Sequence, residues 1–235
     1  MISVCLATRN GSRYVGEQLT SILPQLSVDD EVIISDDAST DDTLGIVRSL
    51  DDSRVKILQH KHAIGIVSNF EAALKQSSGD VIFLADQDDV WLPGKVEITL
   101  SYLRHFDLVL SDCEFVDDRL HPIHSPEDKK LKTQKGIVKN LIRNSYMGCC
   151  MAFRRSVIEK ALPFPPDIPM HDIWIGLVAE MYFNVSVIPD KLVLHRRHAH
   201  NASTTGMSSR LTLGRQLVNR YKIVKNLILH QRYAV

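Results

Sequence analysis

Val81-Ile-Phe-Leu-Ala-Asp-Gln-Asp-Asp-Val-Trp91 is the stretch that decides the fold of this 235-residue chain. Five apolar residues read as a fully buried strand, and Asp86, Asp88 and Asp89 follow at its end. Carboxylates gathered this closely repel one another and call for a compensating cation. Oxygen ligands suit Mg²⁺ or Mn²⁺, which combine one or two carboxylates with waters and a substrate diphosphate. A solvated acidic turn would share the same local sequence. What separates the two is whether other strands deliver polar groups to the same place.

They do. Ile2–Ala7, Glu31–Ser35, Val55–Gln59 and Leu108–Ser111 are further apolar runs suited to buried strands. Helical patterns lie between them: Val15, Leu19, Ile22 and Leu23 share one face, Leu44, Val47 and Leu50 a second, Phe70, Ala73 and Leu74 a third, Val96, Leu100 and Leu103 a fourth. Such alternation predicts crossover units and a mostly parallel central sheet flanked by helices. Ligands of open α/β sheets bind outside the carboxyl ends of the strands. Those ends carry Thr8-Arg9-Asn10, Asp36-Asp37 and Asp86-Gln87-Asp88. Asp37 is placed to accept a hydrogen bond from a base N–H, and Asp88 to hold a metal on a diphosphate. Thr40 or Asp41 is expected to cap the following helix. Neither a Gly-x-Gly-x-x-Gly turn nor a Gly-Lys-Ser/Thr loop is present, so a dinucleotide fold and a P-loop are unsupported.

Composition narrows the class. Apolar residues make up 44% and charged residues 24%, as in an ordinary globular protein. The net charge is zero but unevenly spread: residues 1–60 hold ten acidic and five basic side chains, and nothing after Asp190 is acidic. A metal site at one end and an anionic surface or ligand at the other fit that asymmetry. The opening residues lack a signal-peptide pattern, and no apolar run reaches the ~20 residues needed to span a bilayer. Cys5, Cys113, Cys149 and Cys150 form no disulfide framework, and the sequons at Asn10, Asn184 and Asn201 matter only in a secreted protein. A reducing cytoplasm is the expected compartment.

Val4-Cys-Leu-Ala-Thr-Arg-Asn-Gly, Ile34-Ser-Asp-Asp-Ala-Ser-Thr-Asp-Asp-Thr and Asp86-Gln-Asp-Asp-Val-Trp-Leu-Pro-Gly-Lys resemble the family 2 glycosyltransferases in order and spacing. The resemblance implies a nucleotide-diphospho-sugar transferase of the A-type α/β fold. It places Asp37 on the base, Asp86 and Gln87 near ribose and sugar, and Asp88 on the metal, Mn²⁺ or Mg²⁺. Thr8, Arg9, Asn10 and Glu17 would border the nucleotide, although Arg9 stands where an aromatic residue is often seen. Residues 1–205 would form the catalytic unit, with a nucleotide-sugar half over 1–112 and an acceptor half over 113–205.

In that second half, Gly148-Cys-Cys-Met-Ala-Phe153 resembles the family's strand beneath the acceptor. Trp91, Gly148, Cys149, His171 and Trp174 are the expected acceptor contacts. The prolines at 163, 165, 166 and 169 lead stiffly into Met170-His171-Asp172-Ile173-Trp174. This His-Asp-x-Trp resembles the position of the catalytic base in inverting members, which would take the acceptor's proton. A plain helix-capping Asp172 is the alternative reading. His195-Arg-Arg-His198-Ala-His200 is expected to form a basic loop over the diphosphate, with Arg196, Arg197 or His198 touching phosphate or metal, His198 foremost. A zinc site completed by His60 and His62 is disfavoured because the spacing lacks a matching second pair.

Residues 206–235 carry Leu211, Leu213, Leu217, Val218, Tyr221, Val224, Leu227 and Ile228 among basic residues, an amphipathic helical pattern that could pack, pair with a second copy or lie on an anionic membrane. Nucleic-acid binding is a poor fit, since stacking aromatics are missing. The resulting expectation is an inverting, metal-dependent transferase moving one sugar, with rhamnose among the candidates, from a UDP- or dTDP-linked donor to a surface glycan or lipid-linked acceptor. A sugar nucleotidyltransferase or an inactive nucleotide-sugar-binding module are the competing readings.

Overall fold

The computed structural model describes residues 1–123, 133–198 and 212–233. Among the described residues an eight-stranded sheet is flanked by eight α-helices. The strands are β1 Ile2–Thr8, β2 Glu31–Asp36, β3 Val55–Gln59, β4 Val81–Asp86, β5 Val90–Trp91, β6 Leu108–Val116, β7 Met151–Arg154 and β8 Val185–Arg196. The helices are α1 Val15–Ile22, α2 Thr43–Ser49, α3 Ile66–Gln76, α4 Lys95–Leu103, α5 Ile137–Ile142, α6 Arg155–Ala161, α7 His171–Tyr182 and α8 Leu213–Tyr233.

The strand order is β3-β2-β1-β4-β7-β6-β8-β5. From β3 to β4 every pairing is parallel, as the alternating pattern requires. Beyond β4 the sheet becomes mixed: β7 runs antiparallel to both β4 and β6, and β5 antiparallel to β8. Central strands are apolar on both faces because helices cover both. Val4, Leu6, Val32 and Phe83 face one core cluster, and Cys5, Ile33, Leu84 and Phe153 the other.

Two expectations change here. The stretch from Gly148 is a strand only from Met151; Gly148–Cys150 forms a 3₁₀ turn at its start. His195 and Arg196 belong to the end of β8, paired with Phe115 and Val116, rather than to a basic loop. His200, Asn201, Leu211 and the expected boundary near residue 205 lie outside the described residues. No described helix is long and apolar enough to cross a membrane.

Candidate active site

The parallel register sets β1, β2 and β4 side by side, so Thr8 pairs with Asp36 and Ala7 with Asp86 at one sheet edge. The chain beyond each strand lines a cleft of about 320 Å³. Its wall includes Thr8, Arg9, Asp37, Asp86, Gln87 and Asp88 from the first half, and Gly148, Cys149, His171 and Asp172 from the second. Ten of the sequence-predicted residues, from both halves, therefore meet in one cavity, and His198 lies outside its wall.

The first-half wall is tightly hydrogen-bonded. Thr8 Oγ1 donates to Asp36 Oδ1 (2.9 Å). Asp37 accepts from the amides of Ile64 (2.5 Å) and Gly65 (3.2 Å), and Arg9 reaches it at 3.4 Å. Gln87 clamps Arg9 by accepting from its N–H (2.9 Å) and donating to its carbonyl (3.1 Å). Gly11 leaves room for this clamp, since a Cβ there would stand 2.1 Å from Gln87 Oε1. Asn10 and Glu17 do not line the cleft. Asn10 Oδ1 accepts from the Thr40 amide (2.8 Å), and Glu17 accepts from Arg196 Nη2 (2.5 Å). Asp41, one of the two expected caps, accepts the Thr43 amide (3.1 Å) at the start of α2.

Acidic groups crowd the end of β4. Desolvation pushes the Asp86 carboxyl well up, and the charges of Asp89, Asp88 and Asp172 push it further. Asp89, fully buried, faces His195 Nδ1 (2.9 Å) and accepts from the Arg196 amide (3.0 Å). Burial by itself would lower the His195 pKa, but Asp89 overcomes it and holds the imidazolium to about 9. Asp88 Oδ2 meets His198 Nε2 at 2.8 Å, with the His198 ring stacked on Tyr14. Asp86, Asp89, Cys149 and His195 also offer ligand atoms within 4.8 Å of one another. With His195 held as imidazolium by Asp89, the donors that fit a divalent cation are the carboxylates crowded around Asp86. His60 instead bonds Ser35 Oγ (3.0 Å) and takes no part in that group.

Arg196 overturns its expected role on phosphate. Its side chain is buried, donating to the carbonyls of Asp88 (2.8 Å) and Asp118 (2.6 Å) as well as to Glu17, and stacking on Tyr14. It braces the Asp88 turn from behind. Arg197 lies over the Phe115 ring.

The second-half wall is sparser. Met170 occupies the cap of α7, so Asp172 sits in the first turn rather than at the capping position. Burial raises its carboxyl to about 6, against amide hydrogen bonds from Ile173, its own N–H and Gly148. His171 stacks on Phe70 with ring centres 3.9 Å apart, and both its ring nitrogens are buried without a hydrogen-bond partner. Burial drops its pKa to about 3, so the ring is neutral. Gly148 is small because a Cβ would stand 3.0 Å from His171 Nε2. The two tryptophans are not in this wall. Trp174 donates Nε1–H to Ala161 O (2.9 Å) within the core, and Trp91 packs against Phe83 beneath β4. Both are structural because each indole is almost wholly enclosed.

Gly65, Ile66, Asn69, Phe70, Met147, Met170 and His195 also line the cleft and were not anticipated. Phe70, Met170 and His195 stood in patterns already read, but not as cleft residues; Gly65 is required by its φ of +86°.

Residues 3–162 match the profile of glycosyl transferase family 2. The chain belongs to that family. A UDP-Glc:alpha-D-GlcNAc-diphosphoundecaprenol beta-1,3-glucosyltransferase of Escherichia coli, WfgD, is 25% identical over 80% of this chain and 73% of its own. The dTDP-rhamnosyl transferase RfbG of Shigella flexneri is 35% identical over 42% of this chain and 36% of its own. Among solved structures, S. aureus TarS in complex with UDP-GlcNAc superposes with a TM-score of 0.73 at 18% identity, over 97% of this chain and 66% of its own. The Pyrobaculum calidifontis mannosyltransferase PcManGT, with GDP-Man and Mn²⁺, does so at 0.65 and 20% identity, over 87% of this chain and 58% of its own. The family 2 glycosyltransferase fold, with its mixed sheet, is thus shared. The chain spans about two thirds or less of those two solved chains.

Proposed function

We propose that this family 2 glycosyltransferase is inverting and metal-dependent, moving one sugar from a nucleotide diphosphate donor to a hydroxyl of a glycan or lipid-linked acceptor. The observation that carries it is one cleft holding two kinds of carboxylate: the crowded Asp86–Asp88 pair at the end of β4, and the proton-affine Asp172 at the start of α7.

On this reading Thr8, Arg9, Asp37, Asp86 and Gln87 hold the nucleotide and sugar. Asp88 and His198 would hold a divalent ion, Mn²⁺ or Mg²⁺, which would supply positive charge against the leaving diphosphate. Asp172 Oδ takes the proton of the acceptor hydroxyl as that oxygen bonds to the anomeric carbon. The bond from that carbon to the diphosphate oxygen breaks, and the diphosphate leaves with its electron pair. Attack from the face opposite the leaving group inverts the centre. His171, neutral and unpartnered, offers a hydrogen bond to an acceptor hydroxyl beside Gly148 and Cys149. UDP and dTDP are the favoured donor nucleotides, glucose and rhamnose the favoured sugars, because the curated relatives above use them. Its action is placed in the cytoplasm, at a membrane face presenting a lipid-linked acceptor of the kind named for WfgD, a diphosphoundecaprenol.

Thermal unfolding with UDP, dTDP, GDP or CMP, each with and without Mn²⁺, tests the donor side. A nucleotide at a hundredfold its dissociation constant stabilises by about 2.7 kcal/mol. Metal-dependent stabilisation by one diphosphate, lost in Asp88→Asn, supports the assignment. No stabilisation by any of them at millimolar concentration overturns the donor-site assignment, whereas stabilisation without any sugar transfer would favour an inactive binding module.

A further inference from the structure

Leu217, Tyr221, Val224 and Ile228 are all exposed on α8. Their spacing of four, three and four puts them in a stripe about 60° wide on the helix surface. The opposite face is fixed to the domain: Ile223, Asn226 and Leu227 are buried, and Asn226 donates to Asp167 Oδ1 (2.6 Å). His230 lies edge-on to Trp174 and Tyr182 of α7. The outward stripe therefore cannot turn inward without dismantling that packing. Arg220 donates to the carbonyl of Ile142 (2.6 Å), which brings the end of α5, with Ile142 exposed, to the Arg220 edge of the stripe.

We propose that this patch docks on an anionic lipid surface, with α8 lying in the headgroup plane. The surface rests on the proposed lipid-linked acceptor for its use, and on the helix itself for its physics. Charge selects the occupant. Arg220 and Lys225 flank the stripe on either side, and α8 carries no acidic residue. A stripe of this spacing is also a coiled-coil seam. Pairing it with α8 of a second copy, however, would set Arg220 and Lys225, which flank the stripe, against the same cations with nothing to neutralise them. An anionic bilayer accepts both features at once, apolar side chains at the acyl boundary and cations among the headgroups. Because α8 packs on α7, whose first turn holds Asp172, such docking would fix the acceptor half of the cleft relative to the lipid.

The test is flotation of the full chain with equimolar phosphatidylcholine–phosphatidylglycerol vesicles and with phosphatidylcholine alone. Its partners are Leu217→Glu/Ile228→Glu, two exposed positions the fold does not use, and light scattering of both proteins. The expected result is binding to the anionic vesicles only, weakened by salt, and about tenfold or more weaker in the double variant. Absence of anionic-vesicle binding, equal binding by both proteins, or a dimer that the double variant dissolves would each overturn the proposal. A parallel titration with UDP and Mn²⁺ reads the donor site independently. Retained nucleotide binding in the double variant confines its defect to the surface and supports the assignment of these residues to docking.

Discussion

The two walls of the cleft are built on opposite principles. On the first-half wall, the crowded Asp86 apart, the protein satisfies its own polar groups: Thr8 by Asp36, Gln87 by the N–H and carbonyl of Arg9, Asp37 by two loop amides. On the second-half wall His171 has no partner at either nitrogen and Asp172 is bonded only by backbone amides. A wall that holds a nucleotide must be rigid before the ligand arrives, so its hydrogen bonds are made in advance. A wall that handles the acceptor's proton needs a group whose best partner is still missing. The difference teaches where stability was given up, since an orphaned buried imidazole costs free energy that a hydrogen bond would recover.

The largest way to break this contrast is on the first wall. Asp88→Asn should lower sugar transfer by about three orders of magnitude, while Mn²⁺ ceases to affect nucleotide binding in titration calorimetry. Next is the brace behind that wall. Arg196→Ala removes hydrogen bonds to Glu17, Asp88 and Asp118 from a buried position. It should cost about 3 kcal/mol in denaturant unfolding.

Smaller changes sharpen the second wall. His171→Phe replaces the orphaned ring by an apolar one, so stability should rise by about 1 kcal/mol while transfer falls. The sign has a pH check. His171 is held to about 3 when folded, against an ordinary value of 6.5. Its stability contribution is complete above pH 6.5 and is lost as pH falls toward 3. Acidification from neutrality should therefore destabilise the natural chain more than His171→Phe. Gly148→Ala pushes against His171 Nε2 and should raise the acceptor KM by about 1 kcal/mol equivalent, with donor KM unchanged.

What could be read in the sequence follows the same division. The parallel strands announced themselves as unbroken apolar runs, and their ends named Thr8, Asp37, Asp86 and Asp88 directly. Asp172 was legible through its motif. The antiparallel additions were not: β5 is two residues long, and β8 carries Pro189, Asp190 and Lys191 in mid-strand, a pattern that reads as loop. Arg196 was misread for a related reason. Its basic neighbours suggest phosphate, but its partner Glu17 lies 179 positions away, and no local pattern reports such a contact. Asn10 and Glu17 stood at motif positions yet serve loop and brace, because a motif fixes where a residue falls in the chain and not which way its side chain is drawn. Trp91 and Trp174 illustrate the general rule that large aromatics beside a motif serve the core first.

The most direct measurement is the pH dependence of transfer by the natural chain and by Asp172→Asn, with donor-diphosphate affinity measured alongside. The natural chain should gain activity as pH rises through about 6, where Asp172 loses its proton. The variant should lose about two to four orders of magnitude in kcat, keep its donor affinity and lose that acid limb. Full transfer by Asp172→Asn, with the acid limb intact, would contradict the assignment of Asp172 as the base and with it the division of labour between the two walls.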